Sequence, residues 1–415
     1  MRREDHFTEP YQAETHGQLS VEALARAHFR SPSQFSRDFY AAAGYSVHEY
    51  QRCRRLSQAL CLIRSSGLSL ADISYRCGYS SQQALCREVK AILHMTATEY
   101  RESEEYYFLS EPVQDIPWIT EVSTVKIPRT LCLSFYHPVL RGLESLAVHS
   151  FLQANPAYHG RIFGRNGKQQ KNRFCYKLYV EDTGELNTAG FSVGMLHPAY
   201  SAVCAQIRVH NREEDISAAW DWLYSVWLPK SMFAYAGAEE PVFEKEYFEE
   251  YYHKDVQIRR LRLVLPVQRR DSLWKITLEK QTLTFLVSDC TGPSAETEAS
   301  RTVLTYLAHT HPEILQDTRT FYFRQDDNRC TCGAAVGKQI TPGERLRMIR
   351  YENTPFAILH FQGMHAYAEA AERLEAWCSE NGIRAADRPF AVYDTSVNED
   401  NPRMMLYCPL KNDGI

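Results

Sequence analysis

Two stretches decide the fold of this chain: residues 19–46, LSVEALARAHFRSPSQFSRDFYAAAGYS, and residues 68–96, LSLADISYRCGYSSQQALCREVKAILHMT. Each runs as a short helix, a turn, and a second helix with polar side chains on its outer side. In the first, Val21, Leu24 and Ala25 are apolar at helical spacing behind Ser20, a residue type suited to an N-cap. Ser31-Pro32 marks a second start, because Ser caps a helix and Pro is pre-set for its first turn. Phe35 and Phe39 lie one turn apart and face inward, and Gly44 stops the helix. That leaves Ser33, Gln34, Ser36 and Arg37 outward. In the second stretch Leu70 and Ile73 pack, Gly78-Tyr79 turns the chain, and Ser80 or Ser81 caps a helix. Leu85 and Val89 take the places of Phe35 and Phe39, so Gln82, Gln83, Cys86 and Arg87 form the outward set. A basic helix over 47–65, with Tyr50, Leu56, Leu60 and Ile63 apolar, joins the two.

The charge distribution agrees with this plan. The whole chain of 415 residues carries a net charge of −4, which argues against indiscriminate nucleic-acid binding. Between Leu19 and Arg101, however, eleven basic residues face six acidic ones. A local basic excess on a chain that is otherwise acidic is the electrostatic footprint of a DNA-binding segment. A helix N-terminus in a major groove presents Gln to adenine edges and Arg to guanine or phosphate. Taken singly, Gln82, Gln83 and Arg87 would read as a solvated helix face. Two copies of the motif, each with cap and turn, favour DNA.

The pattern resembles the DNA-binding domain of AraC/XylS-type transcription regulators, two helix-turn-helix motifs joined by a long helix. GYSSQQALCREV is similar to the MarA, SoxS and Rob branch, and MTATEYR to the family's usual ending. Where that family has Gly and Pro near the end, this chain has His94 and Ala97. The resemblance implies an all-α domain over 1–101 that contacts double-stranded DNA through Ser33, Gln34, Ser36, Arg37, Gln82, Gln83, Cys86 and Arg87.

Residues 102–118 are acidic and contain Pro, which reads as a linker. Beyond them the chain reads as an internal duplication, 119–268 and 272–415. Each copy has early strands, a helix, an apolar strand (SAVCAQIR, then FAILHFQG), a Trp-containing helix, a Pro-Phe-type turn, and a last strand, LRLVLPV or MLYCPL. In this order the segments resemble GyrI-like effector-binding domains, α+β modules of paired strand-helix-strand-strand units. The resemblance implies a small-molecule effector, aromatic or lipophilic and often cationic, and admits RNA polymerase as a further partner. A cation site needs aromatic faces and a carboxylate in an apolar setting. Trp227, Phe233, Tyr235, Phe243 and Glu244 are the candidates, with Tyr179 across the cleft. Trp220 reads as core packing.

Some GyrI-like proteins hydrolyse reactive cyclopropanes, so the alternative is a hydrolase or ligand-scavenging protein with a vestigial DNA-binding domain. It needs a pair of acids, and Arg262 and Met405 stand where the family often has a strand Glu. No nucleophile elbow, phosphate loop or metal motif points to another enzyme class, and no catalytic residue, metal or cofactor is assigned. The twelve cysteines are scattered except Cys330 and Cys332, with no second ligand cluster near them. The N-terminus lacks an apolar signal core, which with the DNA-binding reading leads to the expectation of a cytoplasmic protein.

Overall fold

The N-terminal helices form because caps and apolar spacing coincide. In the computed structural model, which describes residues 20–110, 118–231, 233–236, 247–254, 257–269, 275–337, 340–361, 367–394 and 403–411, the first helix-turn-helix is α1 (Val21–Ala27) and α2 (Pro32–Ala43). Ser20 Oγ accepts from Ala23 N and Ser31 Oγ from Gln34 N, and Gly44 ends α2 at φ +76°. Helix α3 (Val47–Ser65) follows, with Tyr50, Leu56, Leu60 and Ile63 buried. The second motif is α4 (Leu70–Arg76) and α5 (Gln82–Leu93), capped by Ser81 rather than Ser80. His94 takes the left-handed C-cap conformation, φ +58°, which Gly adopts without strain, so the helix ends there at a conformational cost. A reciprocal capping box between Thr96 and Glu99 starts α6 (Ala97–Glu102).

Within the stretch expected to be a linker, Phe108 and Leu109 are built into the fold, while 111–117 lie outside the described residues. β1 (Phe108–Leu109) pairs with β2 (Thr120–Ile127). Leu109 N donates to Ser57 Oγ and Leu109 O accepts from the buried Arg54, so the strand is fastened to α3.

The described residues fall into two compact units. The first holds the chain up to Cys61, Leu70–Pro229 and Phe233–Arg269; the second holds Leu62–Ser69 and the chain from Arg270 on. After β2 the first unit continues with β3 (Thr130–His137), α7 (Leu143–Ala154), β4 (Ile162–Gln170), β5 (Arg173–Glu181), β6 (Ser192–His197), β7 (Tyr200–His210) and α8 (Glu213–Trp222). A π-helical turn, Leu223–Trp227, and the short α9 (Leu228–Lys230) lead to β8 (Phe233–Tyr235), β9 (Phe248–Lys254) and β10 (Gln257–Arg269). The antiparallel sheet runs β1-β2-β7-β10-β9-β4-β5-β3-β6, with β8 on β10. Strand alternation gives it two apolar faces. Leu178, Val180, Leu263 and Tyr251 share one face with Val148, Phe151 and Ala219 of α7 and α8. Phe163, Tyr179, Phe248 and Val264 pack on the other.

The second unit contains β11 (Lys275–Thr291), α10 (Ala295–Thr310), α11 (Pro312–Asp317), β12 (Thr320–Asp326), β13 (Arg329–Ala335), β14 (Leu346–Phe361), α12 (Tyr367–Glu380), β15 (Phe390–Asp394) and β16 (Arg403–Pro409). The strands close into a barrel, β11-β13-β12-β15-β16-β14, because the long β11 pairs at both edges. Its order β14-β16-β15-β12-β13 repeats β7-β10-β9-β4-β5 of the first unit, with a helix at the corresponding points. The chain is thus a helical domain followed by mixed α/β structure. No helix among the described residues is long and apolar enough to cross a membrane.

Candidate nucleic-acid interface and a carboxylate–aromatic cluster

The two candidate reading helices present different surfaces. In α2, Phe35 and Phe39 are buried and Ser33, Gln34 and Arg37 exposed, with Ser36 half-buried. The polar set is tied up along the helix: Gln34 donates to Asp38 (2.7 Å), Arg37 donates to Gln34 (2.9 Å), and Arg30 pairs with Asp38. In α5, Leu85 and Val89 are buried and Gln82, Gln83 and Arg87 exposed, with Cys86 half-buried. None of these four donates or accepts a side-chain hydrogen bond among the described residues. The second helix therefore offers its donors to a ligand without first breaking internal bonds.

The end of α2 is held by two arginines of the sheet. Arg260 on β10 donates to the carbonyls of Tyr40 (2.5 Å) and Ala41 (3.2 Å) and lies over the Tyr40 ring at 4.5 Å. Arg208 on β7 stacks on Tyr45 at 3.7 Å and donates to Gly44 O (3.2 Å) and Glu49 (3.0 Å). Tyr45 in turn donates to Glu121 on β2 (2.9 Å). Cations at the C-terminus of a helix satisfy its last carbonyls and match its dipole. Gly44 is required twice over: its φ is positive, and a Cβ there would stand 2.8 Å from both Arg208 Cβ and Arg260 Nη1. Gly44→Ala is expected to lower stability by about 1–3 kcal/mol in urea unfolding; an unchanged midpoint would mean that this contact is not tight.

The candidate effector residues do not converge as the sequence suggested. Tyr179 is buried on the opposite face of β5 from Tyr176, among Phe163 and Phe248, because neighbouring strand residues point to opposite sides. It accepts from Arg165 and cannot face the others. Trp227 stacks on Phe233 (6.0 Å) inside the main core, 5% exposed, so this pair is packing. Phe243 and Glu244 lie outside the described residues. Tyr235 does reach a half-exposed aromatic group, 6.2 Å from Tyr224.

That group surrounds a different acid. Glu249 on β9 accepts from Tyr176 (2.7 Å), Tyr251 (2.6 Å) and Trp220 Nε1 (3.3 Å). Tyr247 and Tyr224 stand 5.2 and 5.8 Å from the Trp220 ring. Burial, and then the Glu249 charge, push the hydroxyls of Tyr176 and Tyr251 well above the usual tyrosine range, so both remain donors. On α7, burial raises the Glu144 carboxyl, with Glu249 adding to the effect. The π-helical turn inserts a residue after α8, leaving Trp220 and Tyr224 half-exposed while Trp227 turns inward. Trp220, expected as core, belongs to this cluster. The sequence signal was the alternation Tyr247, Glu249, Tyr251 within an acidic run.

The opposite side of β9 carries Glu250, 4% exposed, between Arg161 (2.7 Å) and Arg262 (2.9 Å). Arg262 is therefore an internal ion-pair partner. β9 places the aromatic-flanked Glu249 on one face and, on the other, a pair to β10, whose Arg260 holds α2.

Residues 24–103 match the family model of a helix-turn-helix domain. The match supports an AraC-type, DNA-binding transcription regulator. No curated protein matches the chain. Among solved structures, one described as a hydrolase from Listeria innocua is 13% identical, over 33% of this chain and 91% of that one, with a TM-score of 0.25.

Proposed function

We propose that the chain is a cytoplasmic, sequence-specific transcription regulator of the MarA, SoxS and Rob kind, with GyrI-like domains over 119–268 and 272–415. On this reading the first of these binds a lipophilic cation at Glu249. The observation that carries the effector reading is a carboxylate held by three donors and flanked by half-exposed aromatic rings. Cation–π attraction and a poorly solvated carboxylate together select a flat, apolar cation over an inorganic one. Gln82, Gln83 and Arg87 read bases or phosphates, with Ser33, Gln34, Ser36 and Arg37 as the second reading set. Effector binding is transmitted through β9 and β10 to the arginines that hold α2, which requires the ligand to favour one arrangement of these contacts over another.

The test is a thermal-shift titration with lipophilic cations such as tetraphenylphosphonium. Wild-type protein is expected to gain stability with ligand, by about 2.7 kcal/mol at a hundredfold excess over Kd. Glu249→Gln keeps the shape and removes the charge, and is expected to lose most of that gain. Equal shifts in the two proteins would discard Glu249 as the cation's partner.

A hydrolytic reading of the same cluster is favoured by one observation, the Glu144 carboxyl raised by burial and by the nearby Glu249, so that two carboxyl groups serve one place. Turnover of a strained cyclopropane by wild type and its loss in Glu144→Gln would favour that reading.

A further inference from the structure

The second unit has its own version of this position, with different chemistry. By strand register, Cys330 on β13 stands where Tyr176 stands on β5, and Ala391 and Tyr393 on β15 stand where Glu249 and Tyr251 stand on β9. The carboxylate is gone and thiols have arrived. Cys330 and Cys332 point the same way, two residues apart, with their sulfurs 3.6 Å from each other under α10. Above them lies a cavity of about 260 Å³, lined by Cys332, Phe323, Tyr393, Leu304, Ser300 and Glu296. Phe323 meets Tyr393 edge-on at 6.0 Å, so the cavity wall beside the sulfur is aromatic.

The two sulfurs are not equivalent. Cys330 is fully buried behind the wall, whereas Cys332 forms part of it. Hydrogen bonding from Cys330 holds the Cys332 thiol below its usual range, with Ser300 assisting, against burial and the neighbouring Glu296. The same contact drives the Cys330 thiol upward. A second thiol in hydrogen-bond contact behind the Cys332 sulfur, and an aromatic chamber in front of it, make a nucleophile with a binding site.

We propose that Cys332 is a nucleophile that captures aromatic α,β-unsaturated carbonyl compounds entering this cavity. The Cys332 sulfur attacks the β-carbon and forms the carbon–sulfur bond. The π pair of the C=C bond moves to the α-carbon, which takes up one proton, replacing the one lost by the thiol. The net change is addition of S–H across the double bond, with nothing oxidised or reduced. Cys330 positions and activates Cys332 and forms no bond to the ligand.

The experiment uses the full chain, folded, with limiting N-phenylmaleimide, followed by peptide mapping. Cys332, although only 4% exposed, is expected to be alkylated about tenfold or more faster than the half-exposed Cys61, Cys77, Cys86 and Cys290. Excess N-phenylsuccinimide, the saturated analogue, should slow labelling at Cys332 and leave Cys86 unaffected. Cys330→Ala should slow Cys332 several-fold, about the loss of one activating hydrogen bond; should that variant not fold, protection of the wild type by the succinimide decides. Labelling of the half-exposed cysteines first, with Cys332 reached only in urea, would overturn the proposal. So would an absence of protection by the succinimide.

Discussion

Replacing Arg87 and Arg37 together by Ala is expected to lower affinity for the DNA upstream of the chain's own gene by about a hundredfold or more, since each Arg contact contributes roughly 1–3 kcal/mol. The two contributions are not expected to be equal. Arg87 is exposed on α5 with no side-chain bond among the described residues, so its whole contact is lost with the side chain. Arg37 already donates to Gln34, which is bonded to Asp38, and binding DNA must first loosen that chain of contacts. The single Arg87→Ala variant should therefore show the larger loss in a fluorescence-anisotropy titration. The slope of log affinity against log salt should flatten by about one for each phosphate contact removed. Unchanged affinity in the double variant would displace both helices from the DNA.

Glu250→Ala is expected to cost about 3–5 kcal/mol of stability, because it strands two arginines beside a nearly buried site. Burial pushes the Glu250 carboxyl upward, but Arg262 and Arg161 outweigh it and hold the folded-state pKa below the ordinary value. The sign of the pH dependence follows. A depressed carboxylate contributes its stability above the unfolded pKa, about 4.3 for Glu, and loses it as pH falls toward the folded value. Wild type should thus lose stability below about pH 4 through this group, while Glu250→Ala, already without it, should show a shallower acid limb. Urea unfolding at neutral and acidic pH measures both. Parallel limbs would mean that Glu250 titrates alike in the folded and unfolded chains, and that the two arginines do not hold its charge.

The helical domain was legible because its determinants are local. Ser31-Pro32, Gly44, Ser81 and the Thr96–Glu99 box each act within one turn of chain, and the boundaries of α2 and α3 follow from them. The repeated strand order was legible as a repeated order of segments. The interior of the cluster was not. Between Glu239 and Glu250 the chain has six glutamates, and their spacing alone does not say which belongs to a strand facing the aromatic rings. Strand β9 starts at Phe248, which puts Glu249 and Glu250 on opposite faces with different partners. Tyr179 could have been excluded from sequence alone, since Tyr176, Leu178 and Val180 alternate on the other face of β5. Trp220 and Trp227 are seven residues apart, which on a regular helix puts both on one side. The π-helical turn breaks that relation, and nothing in a periodicity argument foresees it. The stretch 102–118 read as a tether from composition, yet Leu109 is bonded to Ser57 and Arg54, contacts between residues more than fifty positions apart.

These findings describe a helix-turn-helix domain whose helix α2 is gripped by the sheet that carries Glu249. The most direct test is the affinity of the full chain for its upstream DNA, measured with and without saturating tetraphenylphosphonium, in wild type and Glu249→Gln. The account predicts salt-sensitive, sequence-preferring binding in both proteins, altered by the cation in wild type and unaltered in the variant. Absence of such binding, or the same cation effect in both, would contradict it.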